Sequence, residues 1–388
     1  MSLPESRPAE QSGRSAIIDV MTAIYLDHAA TTPMRPEVLV AMEPYFSDNF
    51  GNPSGTHAVS RRAKNALEES RERVGAALGC HPREVIFTSG GTEADNLAVK
   101  GAALANGVGG VVTVASEHEA VLESAEFVRR LGGEVSVVGV DPIGRVDPDE
   151  LLGAVTRDTR VVSVMWANNE TGTLQPIREL RDRLAGRILL HSDAVQAFVG
   201  EDVGVDSVDL LSLAAHKFGG PKGVGVLYVA DGVELEPVLH GGGQEMGRRS
   251  GTHNVAGAVG LAAAMELTVA ERVAFRGRVE AIRTHFENVL GPRATRTVPA
   301  EYSLVQHAHL RLVGQRNETM LVKLDQRGVA ASSASACQSG ANTVSHVLAA
   351  MGVEAPREHL RFSFGWNSTL PEADQAARAV LDAAGILT

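Results

Sequence analysis

VIFTSGGTEADNLAVKGAALA, residues 85–105, holds the reading on which the fold turns. A short apolar run rich in β-branched residues (VIFTSG, 85–90) passes through Gly90 and Gly91 into ADNLAVKGAALA, a helix-favouring stretch. Strand, glycine turn and helix in direct succession is the repeating unit of an α/β sheet. Working outward, VVTVAS (111–116), EVSVVGV (134–140), RVVSVMWA (160–167), RILLHSDA (187–194) and VDLLSLAA (208–215) are further apolar runs of strand length. Helix-favouring stretches such as SAEFVRRLG and PIRELRDRLAG separate several of them. Continuous apolar strands alternating with helices predict an α/β fold with a parallel or mostly parallel sheet, covered on both faces. Ligands of such sheets lie beyond the carboxyl ends of the strands. From about residue 265 the pattern changes to a long charged helix (MELTVAERVAFRGRVEAIRTHFENVLG), then LVQHAHLRLVG, a polar loop and a last helix PEADQAARAVLDAAG. This predicts a second, smaller α+β domain.

The bulk numbers bound the function. The chain has 388 residues, is 44% hydrophobic and 21% charged, and carries a net charge of −11. That balance argues against a nucleic-acid footprint, which needs a basic patch. No run of 18 apolar residues occurs, so no membrane helix is expected. Two cysteines, Cys80 and Cys337, exclude a disulfide framework and a four-thiolate metal site, and suit a reducing cytoplasm. Residues 1–23 are polar and patternless and predict a disordered tail without the features of a secretion signal. Met21 offers an alternative start.

Five loops after predicted strands carry the chemistry. In TSGGTEADN (88–96), Gly90 and Gly91 let backbone N–H groups approach an anion at a helix start, and Thr92 adds a hydroxyl. The spacing is neither a dinucleotide nor a nucleoside-triphosphate fingerprint. In SEHEAVLES (116–124), His118 could stack on an aromatic cofactor and move protons, or simply cap a helix. In WANNETGT (166–173), Asn168 and Asn169 end a fully apolar strand, where two amides meet a polar partner or form a turn. In SDAVQ (192–196), Asp193 could bond a protonated pyridine nitrogen, with Gln196 in reach of the same ring; an N-cap is the alternative. In AAHKFGGPKGVG (214–225), Lys217 follows an apolar strand, where an amine could form a Schiff base. His216 could reach a phosphate, and Lys222 reads as a surface lysine. Taken together, an anion cradle, an acid for a ring nitrogen, a stacking imidazole and an amine form the parts list for pyridoxal 5'-phosphate.

The chain resembles the cysteine desulfurases of the NifS/IscS type, class V aminotransferases with the type I pyridoxal-phosphate fold. The likeness runs from about Ile24 to the C-terminus through YLDHAATTP (25–33), FGNPS (50–54), FTSGGTEADNLAVKG (87–101), SEHEAVLES, NNETGT, SDAVQ, HKFGGPKGVG, HGGGQEMGRRSGT (240–252), SSASACQSG (332–340) and LRFSFG (360–365). It implies a large cofactor domain over 24–272 with a seven-stranded sheet, and a small domain over 273–388 carrying the Cys337 loop. Residues 24–32 would pack with the small domain. The catalytic residues it implies are Lys217, Cys337 and His118. The cofactor would be held by Gly91, Thr92, His118, Asn169, Asp193, Gln196, His216 and Lys217, with Thr252 reaching in from the partner of a homodimer. Asn52, Asn169 and Arg361 would meet the substrate. The implied reaction turns L-cysteine into L-alanine and leaves a persulfide on Cys337, from which an acceptor such as an iron–sulfur scaffold takes the sulfur in the cytoplasm. The resemblance implies no metal, and it assigns Cys80 no role.

Two positions depart from the family pattern. Ala214 stands where a serine usually helps bind phosphate, and Trp366 stands where smaller or basic residues are expected. A selenocysteine lyase or cysteine sulfinate enzyme would share nearly every one of these residues. An aminotransferase would not need Cys337. From another class, a silent scaffold that binds a sulfur acceptor would not need Lys217, Asp193 and His118.

Overall fold

A computed structural model describes residues 23–184, 186, 188–333 and 344–385. Met21, Cys337 and all but the last residue of the expected tail lie outside the described residues. In chain order the strands are β1 (Ile24–Tyr25), β2 (Val85–Thr88), β3 (Gly110–Val114), β4 (Val135–Val138), β5 (Thr159–Ser163), β6 (Leu189–Asp193), β7 (Leu210–Ala214), β8 (Gly225–Val229), β9 (Ala294–Arg296), β10 (His307–Leu312), β11 (Val329–Ala330) and β12 (His359–Ser363).

Strands β2 to β8 form one seven-stranded sheet in the order β2-β8-β7-β6-β5-β3-β4. All its pairings are parallel except the two made by β8, which runs antiparallel to β2 and β7. Six of the strands coincide with the apolar runs read from the sequence. The seventh, Gly225–Val229, is not among them, because its residues follow a glycine-rich turn without an intervening helix.

Alternate strand residues serve two cores, as burial on both faces demands. Phe87, Val112, Val114, Val162 and Leu211 pack on one side with Leu67 and Val74 of helix Ala58–Leu78 and with Leu261 and Met265. Ile86, Val111, Val161 and Leu210 pack on the other with helices Gly91–Leu104 and Glu119–Arg130.

Helix Val255–Leu290 joins this body to the next. Asn254 caps its start by accepting from Gly257 N at 2.9 Å. Its first turns are apolar all round and buried in the large core. Its later turns bury Phe275, Val279, Ile282, Phe286 and Leu290, a helical stripe facing a separate core built on β10 and β12. The division expected at residue 272 therefore falls inside one continuous helix. The small three-stranded sheet, in the order β12-β10-β9, is antiparallel. β1 pairs with β11, so the chain's first described strand is part of the smaller body.

Candidate active site

A cavity of about 250 Å³ opens beyond the carboxyl ends of the parallel strands. Ala29, Ala30, Gly91, Thr92, Asp95, His118, Met165, Asn169, Asp193, Val195, Gln196, Ala214, His216, Lys217 and Arg361 line it. Nine expected site residues converge here from six separate stretches of chain.

The cradle forms where β2 turns into helix Gly91–Leu104. Gly90 has φ 155°, which glycine adopts without strain, and no side chain caps the helix start. A Cβ on Gly91 would stand 2.9 Å from Val195 Cγ2, so only glycine lets the helix terminus come this close to the next loop. The first N–H groups of the helix are thereby free to meet an anion. Glu93 accepts from Ser89 N at 2.7 Å and pairs with Arg249 at 2.7 Å, which ties the turn to the HGGGQEMGRRSGT segment.

Asp193 ends β6. Its Oδ1 accepts from Val195 N at 2.8 Å, so the carboxyl also serves the local turn. Burial pushes its pKa up, and His118 and Lys217 pull it back. Behind it, Asp95 and Glu117 are fully buried and held well above the usual carboxylate range by burial and by Asp193. Asp95 is 3.6 Å from His191 Nε2, and His191 bonds Ser163 and Ser212 at 2.8 and 3.0 Å. His191 is neutral, its pKa pushed down to about 3 by burial.

Lys217 follows β7 on a single tight turn. Its Nζ donates to the carbonyls of Ala29 and Ala30 at 2.5 and 2.9 Å. Gln196 Nε2 donates to the same Ala29 oxygen at 2.9 Å. His216 Nδ1 meets Thr31 Oγ1 at 3.1 Å, and burial, with Lys217 and Lys222, lowers its pKa to about 4. His118 caps helix Glu119–Arg130: Nδ1 accepts from Ala120 N at 3.1 Å, which leaves Nε2 for other partners. The capping role and a place in the cavity wall are thus compatible.

The two asparagines divide their work. Asn168 is buried and organises the loop, accepting from Glu170 N, Thr171 N and Thr171 Oγ1 and donating to Ser116 O. Asn169 faces the cavity, and its carbonyl accepts from Arg361 Nη1 at 2.8 Å. Arg361 comes from β12 and pairs with Asp27 at 2.8 Å. Its buried Nε has no partner.

Asn52 and Thr252 do not line this cavity. Both are exposed, and Asn52 Oδ1 accepts from Ser54 N at 3.0 Å. Ala214 places a methyl on the cavity wall at the position where the family pattern has a hydroxyl. Cys80 is half-buried, and burial together with Glu84 pushes its thiol up to about 12, so it keeps its proton. The sequence reading passed over Asp95, Glu117 and His191. Asp95 had a signal, since it lies four residues after Gly91 and therefore on the same helix face.

Residues 24–375 match the class-V aminotransferase family. The chain belongs to that family. It is 43% identical over 357 residues to a protein of Dictyoglomus turgidum named cysteine desulfurase IscS, with 89% of this chain and 90% of that one covered. It is 43% identical over 379 residues to the putative cysteine desulfurase IscS 1 of Bacillus subtilis, with 95% and 100% covered. Among solved structures, a NifS-like protein superposes with TM-score 0.87 at 35% identity, covering 94% of this chain and 100% of that one. SspA in complex with cysteine superposes with TM-score 0.78 at 34% identity, covering 88% and 98%. The class-V architecture is the type I fold of pyridoxal-phosphate enzymes, and the mostly parallel sheet between helix layers agrees with it. Among the described residues, no helix is long and apolar enough to cross a membrane.

Proposed function

We propose that this class-V chain is a cysteine desulfurase that converts L-cysteine and the Cys337 thiol into L-alanine and a Cys337 persulfide. The observation that carries the reading is the convergence of Lys217, Asp193, His118 and Arg361 on one cavity at the strand ends. A selenocysteine lyase or cysteine sulfinate enzyme would bring the same residues together, and it is the 43% identity to a protein named cysteine desulfurase that favours the desulfurase reading.

The cavity's chemistry fits pyridoxal phosphate. The uncapped start of helix Gly91–Leu104, where a Cβ at Gly91 would clash, suits the phosphate, with Thr92 and His216 beside it. The buried Asp193 carboxyl, beside two further buried acids, calls for a cation, and a protonated ring nitrogen is one. His118 would cover the ring, while Gln196 would meet its hydroxyl and Lys217 hold it covalently. The bound cofactor supplies an electron sink for the negative charge left when the substrate loses its α-proton.

The chain's own residues do the rest. Arg361 grips the substrate carboxylate with its guanidinium, assisted by Asn169. Lys217, released from its covalent role, takes the α-proton. His118, with its other nitrogen fixed by the helix cap, moves protons at Nε2. The Cys337 thiolate attacks the substrate sulfur; an S–S bond forms and the C–S bond breaks. Ser332 exchanges backbone hydrogen bonds with Arg361 at 3.2 and 2.8 Å, and Cys337 is five residues further along. Five residues span up to about 17 Å, which supports delivery of the thiol to this cavity.

Thr252 is exposed and outside its own chain's cavity, which supports a homodimer in which it completes the partner's phosphate site. The persulfide passes to an acceptor protein, an iron–sulfur scaffold being the reading adopted, in the cytoplasm.

Borohydride reduction followed by peptide mapping should label Lys217, and Cys337→Ala should keep the cofactor's absorbance while cysteine-dependent persulfide formation is lost. Label on another lysine, or full desulfurase activity in Cys337→Ala, overturns the assignment.

A further inference from the structure

β2 leads into the cradle, and it is the outermost strand of the seven-stranded sheet on its side. It pairs only with β8, with Val85 opposite Tyr228 and Phe87 opposite Val226. An edge strand presents unpaired N–H and C=O groups along its other side. In an antiparallel pair, residues two apart turn their backbone groups the same way, so Val85 O and Phe87 N face outward together.

Two side chains take the place of the missing strand. Arg71, from helix Ala58–Leu78, donates from Nη1 to Val85 O at 2.7 Å. Glu245 accepts from Phe87 N through Oε2 at 2.9 Å. The two side chains also bind each other in a two-pronged pair, Nη1 to Oε2 at 2.7 Å and Nη2 to Oε1 at 2.8 Å. His253 Nε2 stands 3.0 Å from Oε1, and the Arg71 guanidinium lies over the Phe87 ring, 4.9 Å from its centre. Arg71 and Glu245 are only 5% and 4% exposed, so breaking the pair would strand a buried charge. Burial by itself would raise the Glu245 pKa, but Arg71, His253 and Phe87 N hold it down at about 2, and the carboxylate stays charged.

The backbone is bent to reach this position. Glu245 and Met246 have φ of 48° and 58°, in the left-handed region that residues with a side chain seldom adopt. Such a conformation persists only where its surroundings over-determine it, and it gathers at functional sites. Here four nitrogens around one carboxylate supply that determination. The same segment reaches the other side of the cradle, where Arg249 pairs with Glu93 at 2.7 Å. It therefore holds both the strand entering the glycine turn, at Phe87, and the helix leaving it, at Glu93.

We propose that Glu245, with Arg71, is a positioning residue for the phosphate cradle: it fixes the edge of β2 so that the N–H groups at the start of helix Gly91–Leu104 converge on one anion. The proposal rests on the reading of this cradle as the cofactor's phosphate site. Glu245 does not line the substrate cavity and acts through β2. A seal that served the fold alone would weaken the binding of every ligand alike; one that shapes the cradle weakens the hold on phosphate in particular.

The test compares pyridoxal phosphate with pyridoxal, which lacks the phosphate, in binding titrations of the full chain freed of cofactor, in phosphate-free buffer. The ratio of the two dissociation constants reports what the cradle contributes. Glu245→Gln keeps the shape and removes the charge. It should reduce that preference about tenfold, the lower end of the worth of one hydrogen bond to a charged group, with the affinity for pyridoxal unchanged. Arg71→Lys keeps the charge and loses the two-pronged grip, and should reduce the preference about threefold. A preference equal to that of the wild type in both variants overturns the proposal; if Glu245→Gln fails to fold, Arg71→Lys decides alone. Wild-type protein that bound the two ligands equally would instead sink the cofactor reading, so the two failures are told apart.

Discussion

The substrate cavity has two polar flanks of opposite chemistry. On the large-sheet side, Asp95, Glu117 and Asp193 are buried acids whose pKa values are all raised. On the small-sheet side, His307, His309, His359 and Arg361 share one face of the β10–β12 pair, where His309 lies opposite Arg361. The His309 and His359 rings stack at 5.4 Å, and Thr297 Oγ1 bridges their Nδ1 atoms at 2.8 and 2.9 Å. Burial lowers all three imidazole pKa values, His307 to about 3. The acid flank is therefore made for a cation. The histidine flank stays neutral and leaves Arg361 to carry the charge that receives an anion, held in place by Asp27.

Breaking the acid flank should have the largest effect. Asp193→Ala leaves a cationic ring without its buried partner, a loss of about 3–5 kcal/mol. Cofactor affinity should fall roughly 10²–10⁴-fold in a binding titration; an unchanged affinity would mean that the acids serve only the fold.

Arg361→Lys tests the other flank. The point charge remains but the two-pronged grip goes, at a cost of about 1.5–3 kcal/mol. Steady-state kinetics should show kcat/KM for cysteine reduced roughly 10–100-fold, with the cofactor spectrum intact.

Ala214→Ser sharpens the cradle at the edge of the acid flank. A hydroxyl in place of the methyl should tighten cofactor binding by about tenfold or somewhat more, the lower end of the worth of one hydrogen bond to a charged group. Weaker binding would show that the anion does not lie against this wall.

The smallest effect expected is on the pH dependence of the melting temperature of the cofactor-free protein. His28, His191, His216 and His307 have folded pKa values of about 3–4, below the unfolded value of 6.5. The unfolded chain thus binds more protons than the fold below pH 6.5, and stability is lost as pH falls from there towards 4. The buried acids act in the opposite sense. Their folded pKa values are raised, so the fold binds more protons than the unfolded chain above about pH 4, and stability is lost as pH rises towards those folded values. Melting curves should show a maximum in between. Asp95→Asn should flatten the alkaline side, and His307→Asn the acid side.

Some of this was legible in the chain and some was not. The cradle was, because Gly90, Gly91 and Thr92 are adjacent and sit between a strand and a helix that each announce themselves by pattern. Lys217, Asp193 and His118 were legible for the same reason, each following an apolar strand. β8 was not, since an antiparallel strand after a glycine turn has no helix to frame it. Asp95 and His191 were hidden for a different reason: a carboxylate on a helix and an imidazole in a strand look ordinary until the fold stacks them behind Asp193.

By itself the sequence determined the α/β class, the six apolar runs and the identity of the groups at the strand ends, because period, turn chemistry and residue type are local properties. Only the tertiary structure decided which of those groups share a cavity, and that Asn168 serves the loop while Asn169 faces inward. Those outcomes depend on contacts between residues up to some three hundred positions apart, such as Arg361 against Asp27. Burial and pKa are set by such neighbours in space, and no local pattern records them.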